Sequence, residues 1–158
     1  MEGEIGSVWR GVRAKVGDLL EIAGGLDAAQ LNRAPQLPGA NSPFVIVTHV
    51  LGNIRAWVPG IVCGQPLDRD RPSEFRSQGN LAELRTAADA LIAECEAALE
   101  ALDPALLDDR IVPRQVLFGE GPTNEMSRRE ALLHPLEHAA LHVGQLQMTT
   151  ELLRQEAR

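Results

Sequence analysis

The residues whose types and spacing can do chemistry are the four histidines His49, His134, His138 and His142. Three of them fall in one run, "LLHPLEHAALHVGQLQMTTELL", each four residues from the next. In a helix that spacing puts them on one face, and imidazoles four apart can bind one ion together. On a wheel of 100° per residue centred on His138, the other two lie about 40° to either side. Leu141, Met148 and Leu152 flank the row on one side, and Ala139, Leu146 and Leu153 on the other. Glu137, Gln147, Glu151 and Arg154 lie on the opposite half. This pattern puts the row in the middle of the inward face, with Gln145 and Thr149 in the same strip. Buried imidazoles need partners for their nitrogens. Burial and mutual repulsion favour the neutral form, which is the form a divalent metal binds. On this ground two readings stay open: a metal site, or core histidines satisfied by Gln145, Thr149 or water.

The remaining histidine, His49, lies in "SPFVIVTHVLGNIRAWV", at the edge of an apolar arc. Asn53 follows one turn later in nearly the same direction, and Trp57 one turn after that. Two imidazoles from one helix and one from another bring three neutral nitrogens together in a bundle core. Three protein ligands leave at least one position open for water or substrate.

Positioning such a site takes helices, and the sequence spells four long ones. The first spans about Ile5 to Ala23 and stops at Gly24-Gly25. A short helical turn is expected between Asp27 and Asn32. The second opens with Ser42 or Asn41 as N-cap and Pro43 at its first position, and runs to about Cys63 before Gly64. Residues 64–79 read as a long connection. The third opens on an Asn80–Glu83 capping box and ends near Leu102, ahead of Asp103-Pro104. Residues 103–126 read as irregular. The fourth opens on a second capping box, Ser127 with Glu130, and runs to near Gln155, with a kink or bulge expected at Pro135. The expected architecture is all-α, a four-helix bundle formed as one domain over residues 1–158.

Composition narrows the function. Fifteen basic residues against 22 acidic give a net charge of −7, which disfavours nucleic-acid phosphates and anionic membrane surfaces. The apolar runs are interrupted, so no membrane-spanning helix is expected, and the start "MEGEIGSVWRGVRAK" has no apolar signal core. Cys63 and Cys95 lack metal-ligand spacing and read as buried, reduced thiols of a cytoplasmic protein. The stretch "IRAWVPGIV", Ile54 to Val62, is apolar almost all round. In a small bundle that implies burial against a partner chain, so a homodimer is expected.

A His followed eight residues on by Trp in the second helix, then H-x-x-x-H-x-G-Q in the fourth, resembles the DinB/YfiT superfamily of four-helix bundles. The matching residues are His49, Trp57, His138, His142, Gly144 and Gln145. The resemblance implies a divalent transition metal, nickel or zinc, held by His49, His138 and His142. It also implies dimers, and chemistry related to low-molecular-weight-thiol transferases. Val143 stands where such proteins commonly carry Arg after the last histidine, and His134 has no counterpart in the triad. His134, Asn53, Trp57 and Gln145 are the further candidates for the site's surroundings.

With such a metal, the protein would act on a small-molecule substrate as a thiol S-transferase or a hydrolase, with a low-molecular-weight thiol as co-substrate in the first case. Two other classes remain: a metal- or small-molecule-binding module without turnover, and a helical dimer with structural histidines. No proton carrier is evident. Glu137 faces away. Asp68, Asp70 and Glu74 in the long connection could fold over the mouth of the site, and Arg10, Arg13 and Arg55 could bind a substrate carboxylate, but all read mainly as solvated surface, and Trp9 and Trp57 mainly as packing.

Overall fold

The computed structural model describes residues 1–118 and 121–157. Four long helices form an all-α bundle. They are α1 (Gly3–Gly24), α3 (Pro43–Arg55), α5 (Leu81–Glu100) and α7 (Arg128–Glu156). A short α2 (Ala28–Asn32) precedes α3, and a short α4 (Arg71–Glu74) lies in the long connection between α3 and α5. Round the bundle, α1 packs on α7, α7 on α3, α3 on α5, and α5 back on α1. The core is aliphatic: Val12, Leu19, Val47, Val50, Ile54, Ala88, Leu99 and Leu146 are all buried.

The capping residues expected from the sequence start these helices. Ser42 accepts from the backbone N–H of Val45. Asn80 with Glu83, and Ser127 with Glu130, close reciprocal capping boxes, as does Asp27 with Gln30 ahead of α2. Each box satisfies two backbone donors that a helix start otherwise leaves unpaired. The segment between α5 and α7 is irregular, as expected. It holds a 3-10 turn (Pro104–Asp108), a two-residue antiparallel pair of β1 (Arg110–Ile111) with β2 (Met126–Ser127), and between them the short α6 (Gln115–Phe118).

Three expectations are corrected. The second long helix does not stay α-helical to Cys63. From Ala56 to Val62 it widens into a π-helix around Pro59. Proline has no N–H to donate and its ring crowds the carbonyl four residues back, and a wider turn accommodates both. At Pro135, where a kink or bulge was expected, α7 stays α-helical from Arg128 to Glu156 with no π-bulge.

The third correction concerns the apolar stretch at the end of this helix. Every residue from Ala56 to Val62 is buried within the chain, against α7, α5 and α6. Leu117 of α6 reaches the position where Gly60 would carry a Cβ. This stretch therefore supplies no dimer face. The 20-residue run Pro43–Val62 is long and apolar enough to cross a membrane by composition, yet 83% of it is buried in the bundle, as befits a core helix.

Candidate metal centre

His49 sits on the buried face of α3, held there by Val47, Val50 and Ile46 on either side. His138 and His142 come from α7, the helix packed against α3. The ring centroids lie 5.1 Å apart for His49–His138, 5.2 Å for His49–His142 and 4.4 Å for His138–His142. One nitrogen from each ring falls within 4.8 Å of the other two, so the trio could hold a metal ion. The sequence-predicted residues are thus brought together.

The α7 histidines are half-buried, not central to the inward face. Leu141 and Met148, expected to flank them in the core, are 70% and 66% exposed. The buried stripe of α7 runs through Ala131, Pro135, Ala139, Leu146 and Leu153. Its residues lie between about 20° and 100° from His138 at 100° per residue, centred near about 60°. The row therefore lies along the border between core and solvent. A cavity of about 340 Å³ opens there, lined by Asn41, Val45, Ile46, Arg71, Phe75, Leu141 and Gln145 with the three histidines.

The second nitrogens decide how each ring is held. His49 Nδ1 lies 2.8 Å from Glu74 Oε2. Arg69 grips the same carboxylate with two bonds, Nε to Oε1 at 2.7 Å and Nη2 to Oε2 at 2.8 Å. Glu74 and Arg69 have side chains only 9% and 6% exposed. Burial raises the Glu74 pKa, but the hydrogen bonds from His49 and Arg69, with the Arg69 charge, outweigh it and hold the carboxyl below its usual range. An ionised Glu74 accepts a proton-bearing Nδ1 from His49 and leaves Nε2 as the free lone pair. His142 Nδ1 is paired likewise, with Gln145 Oε1 at 2.5 Å.

Sequence reasoning read Glu74 mainly as solvated surface, with folding over the mouth of the site as the lesser alternative, and missed its bond to His49. Gly52 makes room for it: a Cβ there would lie 2.3 Å from Glu74 Oε1. A glycine inside an otherwise apolar helix, three residues after the histidine, was the available signal.

Burial, then repulsion from the neighbouring imidazoles, lowers the pKa of His138 to about 3. Burial also lowers that of His142, against an opposing pull from Gln145. These two rings are therefore neutral at physiological pH, the state a metal ligand requires. His138 Nδ1 is buried with no hydrogen-bond partner among the described residues. An all-imidazole donor set suits zinc, nickel or copper more than magnesium or calcium.

The other candidates fall into place. His134 stacks on Trp57, ring centroids 3.6 Å apart, and burial lowers its pKa. Asn53 and Trp57 are buried one and two turns beyond His49. Arg13 and Arg55 pair with Glu96 and Glu94, and Arg10 bonds Ser7; none of the three lines the cavity. Arg71, from α4, does line it, with its guanidinium 4.9 Å above the Phe75 ring. Trp9 is a packing residue that donates to Glu96. Cys63 and Cys95 are free thiols; burial pushes Cys63 up to about 11 and Cys95 further still, so neither is an activated nucleophile.

A helical bundle with three imidazoles converging from two of its helices defines a class that the sequence profile makes specific. The profile of the DinB superfamily matches residues 13–146, and the chain belongs to that superfamily. No curated protein is a significant sequence match. Among solved structures, a conserved protein from Enterococcus faecalis is similar, with TM-score 0.71 and 15% identity over 98% of this chain and 99% of that one. A DinB-like protein of Bacillus subtilis, YjoA, gives 0.65 at 19% identity, over 96% and 92%. Mycothiol-dependent maleylpyruvate isomerase gives 0.66 at 14% identity, covering 91% of this chain but 61% of the isomerase. At such identities the likeness is one of fold.

Proposed function

We propose that the protein is a metal-dependent enzyme of the thiol S-transferase or hydrolase type, with nickel or zinc held by His49, His138 and His142. The observation that carries this reading is the convergence of the three imidazoles at the wall of a cavity large enough for a small molecule. Bound there, such an ion supplies Lewis acidity and a lowered pKa for a thiol or a water.

The chain's charges favour an anionic partner. Three neutral imidazoles cancel none of a divalent ion's charge, and Glu74 is already offset by Arg69. No carboxylate lines the cavity among the described residues, whereas the Arg71 side chain does. A thiolate or hydroxide supplies what the protein withholds. Val45, Ile46, Phe75 and Leu141 offer apolar surface for the rest of the ligand. The fold shared with mycothiol-dependent maleylpyruvate isomerase favours the thiol alternative.

Self-association as a homodimer stays part of the proposal, on a surface other than the Ala56–Val62 stretch; a monomer mass independent of concentration in light scattering removes it. A cytoplasmic setting is likewise proposed, on the two unpaired cysteines.

The test uses protein purified without a histidine tag. Elemental analysis should find about one zinc or nickel per chain, and His138→Ala should abolish it while the helical circular dichroism persists. In Co²⁺-loaded protein, added thiol should produce a sulfur-to-cobalt charge-transfer band. Stoichiometric metal without that band, and turnover of an ester or amide instead, selects the hydrolase. Stoichiometric metal with neither leaves a binding module, and absence of metal leaves the histidines structural.

A further inference from the structure

The three imidazoles of the cluster are not held alike. His49 has Glu74 and His142 has Gln145 on their Nδ1 atoms, whereas His138 Nδ1 is buried without a protein partner among the described residues. Besides Arg128 Nε, two other buried polar atoms among the described residues share that condition, Asn53 Oδ1 and Trp57 Nε1, on residues only 4% and 3% exposed.

Register places all three on one seam. The helices α3 and α7 run antiparallel here. His49 sits opposite His138 and His142, while Trp57, two turns further along, stacks on His134, one turn before His138. Asn53 lies one turn from His49 and one from Trp57, and so faces the step between His138 and His134. Buried polar groups are rarely left unpaired, and three on adjacent turns call for a common partner.

Their chemistry defines that partner. An indole N–H only donates, an amide oxygen only accepts, and an imidazole whose Nε2 ligates a metal donates from Nδ1. A single water accepts from the two N–H groups and donates to the amide oxygen, which matches all three. We infer that Asn53 and Trp57 hold a buried water against His138 Nδ1, and that Asn53 is the positioning residue for this metal ligand. The inference rests on the metal reading above, with Nε2 of His138 as the ligating nitrogen. It gives His138 the counterpart of what Glu74 gives His49, and metal affinity commonly depends on such partners.

The test pairs two measurements on Asn53→Leu, a near-isosteric change that removes the acceptor. Chelator competition should show zinc affinity falling ~10- to 100-fold. Urea unfolding of the metal-free variant should show stability unchanged or raised, because an unpaired buried oxygen has gone. Trp57→Phe, which keeps the stack on His134 and removes one donor, should weaken zinc in the same direction. A crystal structure of the zinc-loaded protein should show water within hydrogen-bond distance of all three atoms. Lost metal-free stability with unchanged zinc affinity, or no such water, overturns the inference alone. Absence of zinc binding by the wild type overturns the metal reading and this inference with it.

Discussion

Replacing Gly52 by alanine sets two effects of opposite sign against each other. In an unobstructed helix interior the change stabilises by about 1 kcal/mol, because alanine has less backbone freedom to lose. Here the new Cβ would lie 2.3 Å from Glu74 Oε1 and 2.8 Å from its Cδ. The carboxylate has to retreat by ~1 Å or more to reach ordinary contact. Its bonds to His49 and Arg69, now 2.7–2.8 Å, then stretch beyond useful range. Arg69, with a side chain 6% exposed, is left as a poorly compensated buried charge. Breaking a buried pair costs about 3–5 kcal/mol. Subtracting the alanine gain leaves a net loss of ~2–4 kcal/mol. Gly144 is the control: it is exposed on α7, and a Cβ there meets nothing within 4 Å. Gly144→Ala should therefore stabilise by ~0.5–1 kcal/mol. Urea unfolding of the metal-free proteins reads both changes. A Gly52→Ala protein as stable as the wild type, or more so, would refute the claim that Glu74 is locked against His49.

Acid should destabilise the metal-free protein. The unfolded His138 takes up a proton near its ordinary value of 6.5, the folded one only near about 3, so the unfolded chain binds more protons across that interval. Its contribution is full above 6.5 and is lost as pH falls, by at most ~1.4 kcal/mol per pH unit. Glu74, with a depressed folded pKa, adds a loss in the same direction that starts at its unfolded value and is complete once pH has fallen through the folded one. A urea midpoint constant between pH 7 and pH 4.5 would contradict the His138 assignment. On α7, Leu146→Ala should cost about 2–5 kcal/mol, since Leu146 is fully buried, whereas Leu141→Ala should stay within ~0.5 kcal/mol. Equal losses in thermal or urea unfolding would return the histidine row to the centre of the core face.

The fold was legible where local chemistry decides it. Ser42 with Pro43, Asn80 with Glu83, and Ser127 with Glu130 mark helix starts by hydrogen bonds made within three or four residues. The α7 row was legible because four-residue spacing fixes one face of a helix wherever that helix packs, whereas the choice of His49, His138 and His142 came from the resemblance to the DinB/YfiT superfamily. The orientation of that face was not. Leu141 and Met148 are as apolar as Leu146 and Leu153, and the neighbours packed on α7, chiefly α1, α3 and the π-helix that follows it, determine which pair is covered. A wheel reports apolar character on both flanks of the row and cannot choose between them.

Glu74 shows the same limit in sharper form. In sequence it is one acidic residue among "DRDRPSEFR", indistinguishable from solvated neighbours. It becomes part of the site because α4 folds back over α3, because Gly52 leaves a notch, and because Arg69 brings the charge that lets a carboxylate be buried. Each of these conditions is a contact between residues 5 to 25 positions apart. None has a periodicity of its own. The histidines could be found from one helix at a time, but the groups that orient them are defined only once the connection has closed over the bundle. Sequence reading of such a site should therefore start from a glycine that interrupts an apolar helix beside a ligand, and ask which distant side chain needs the room.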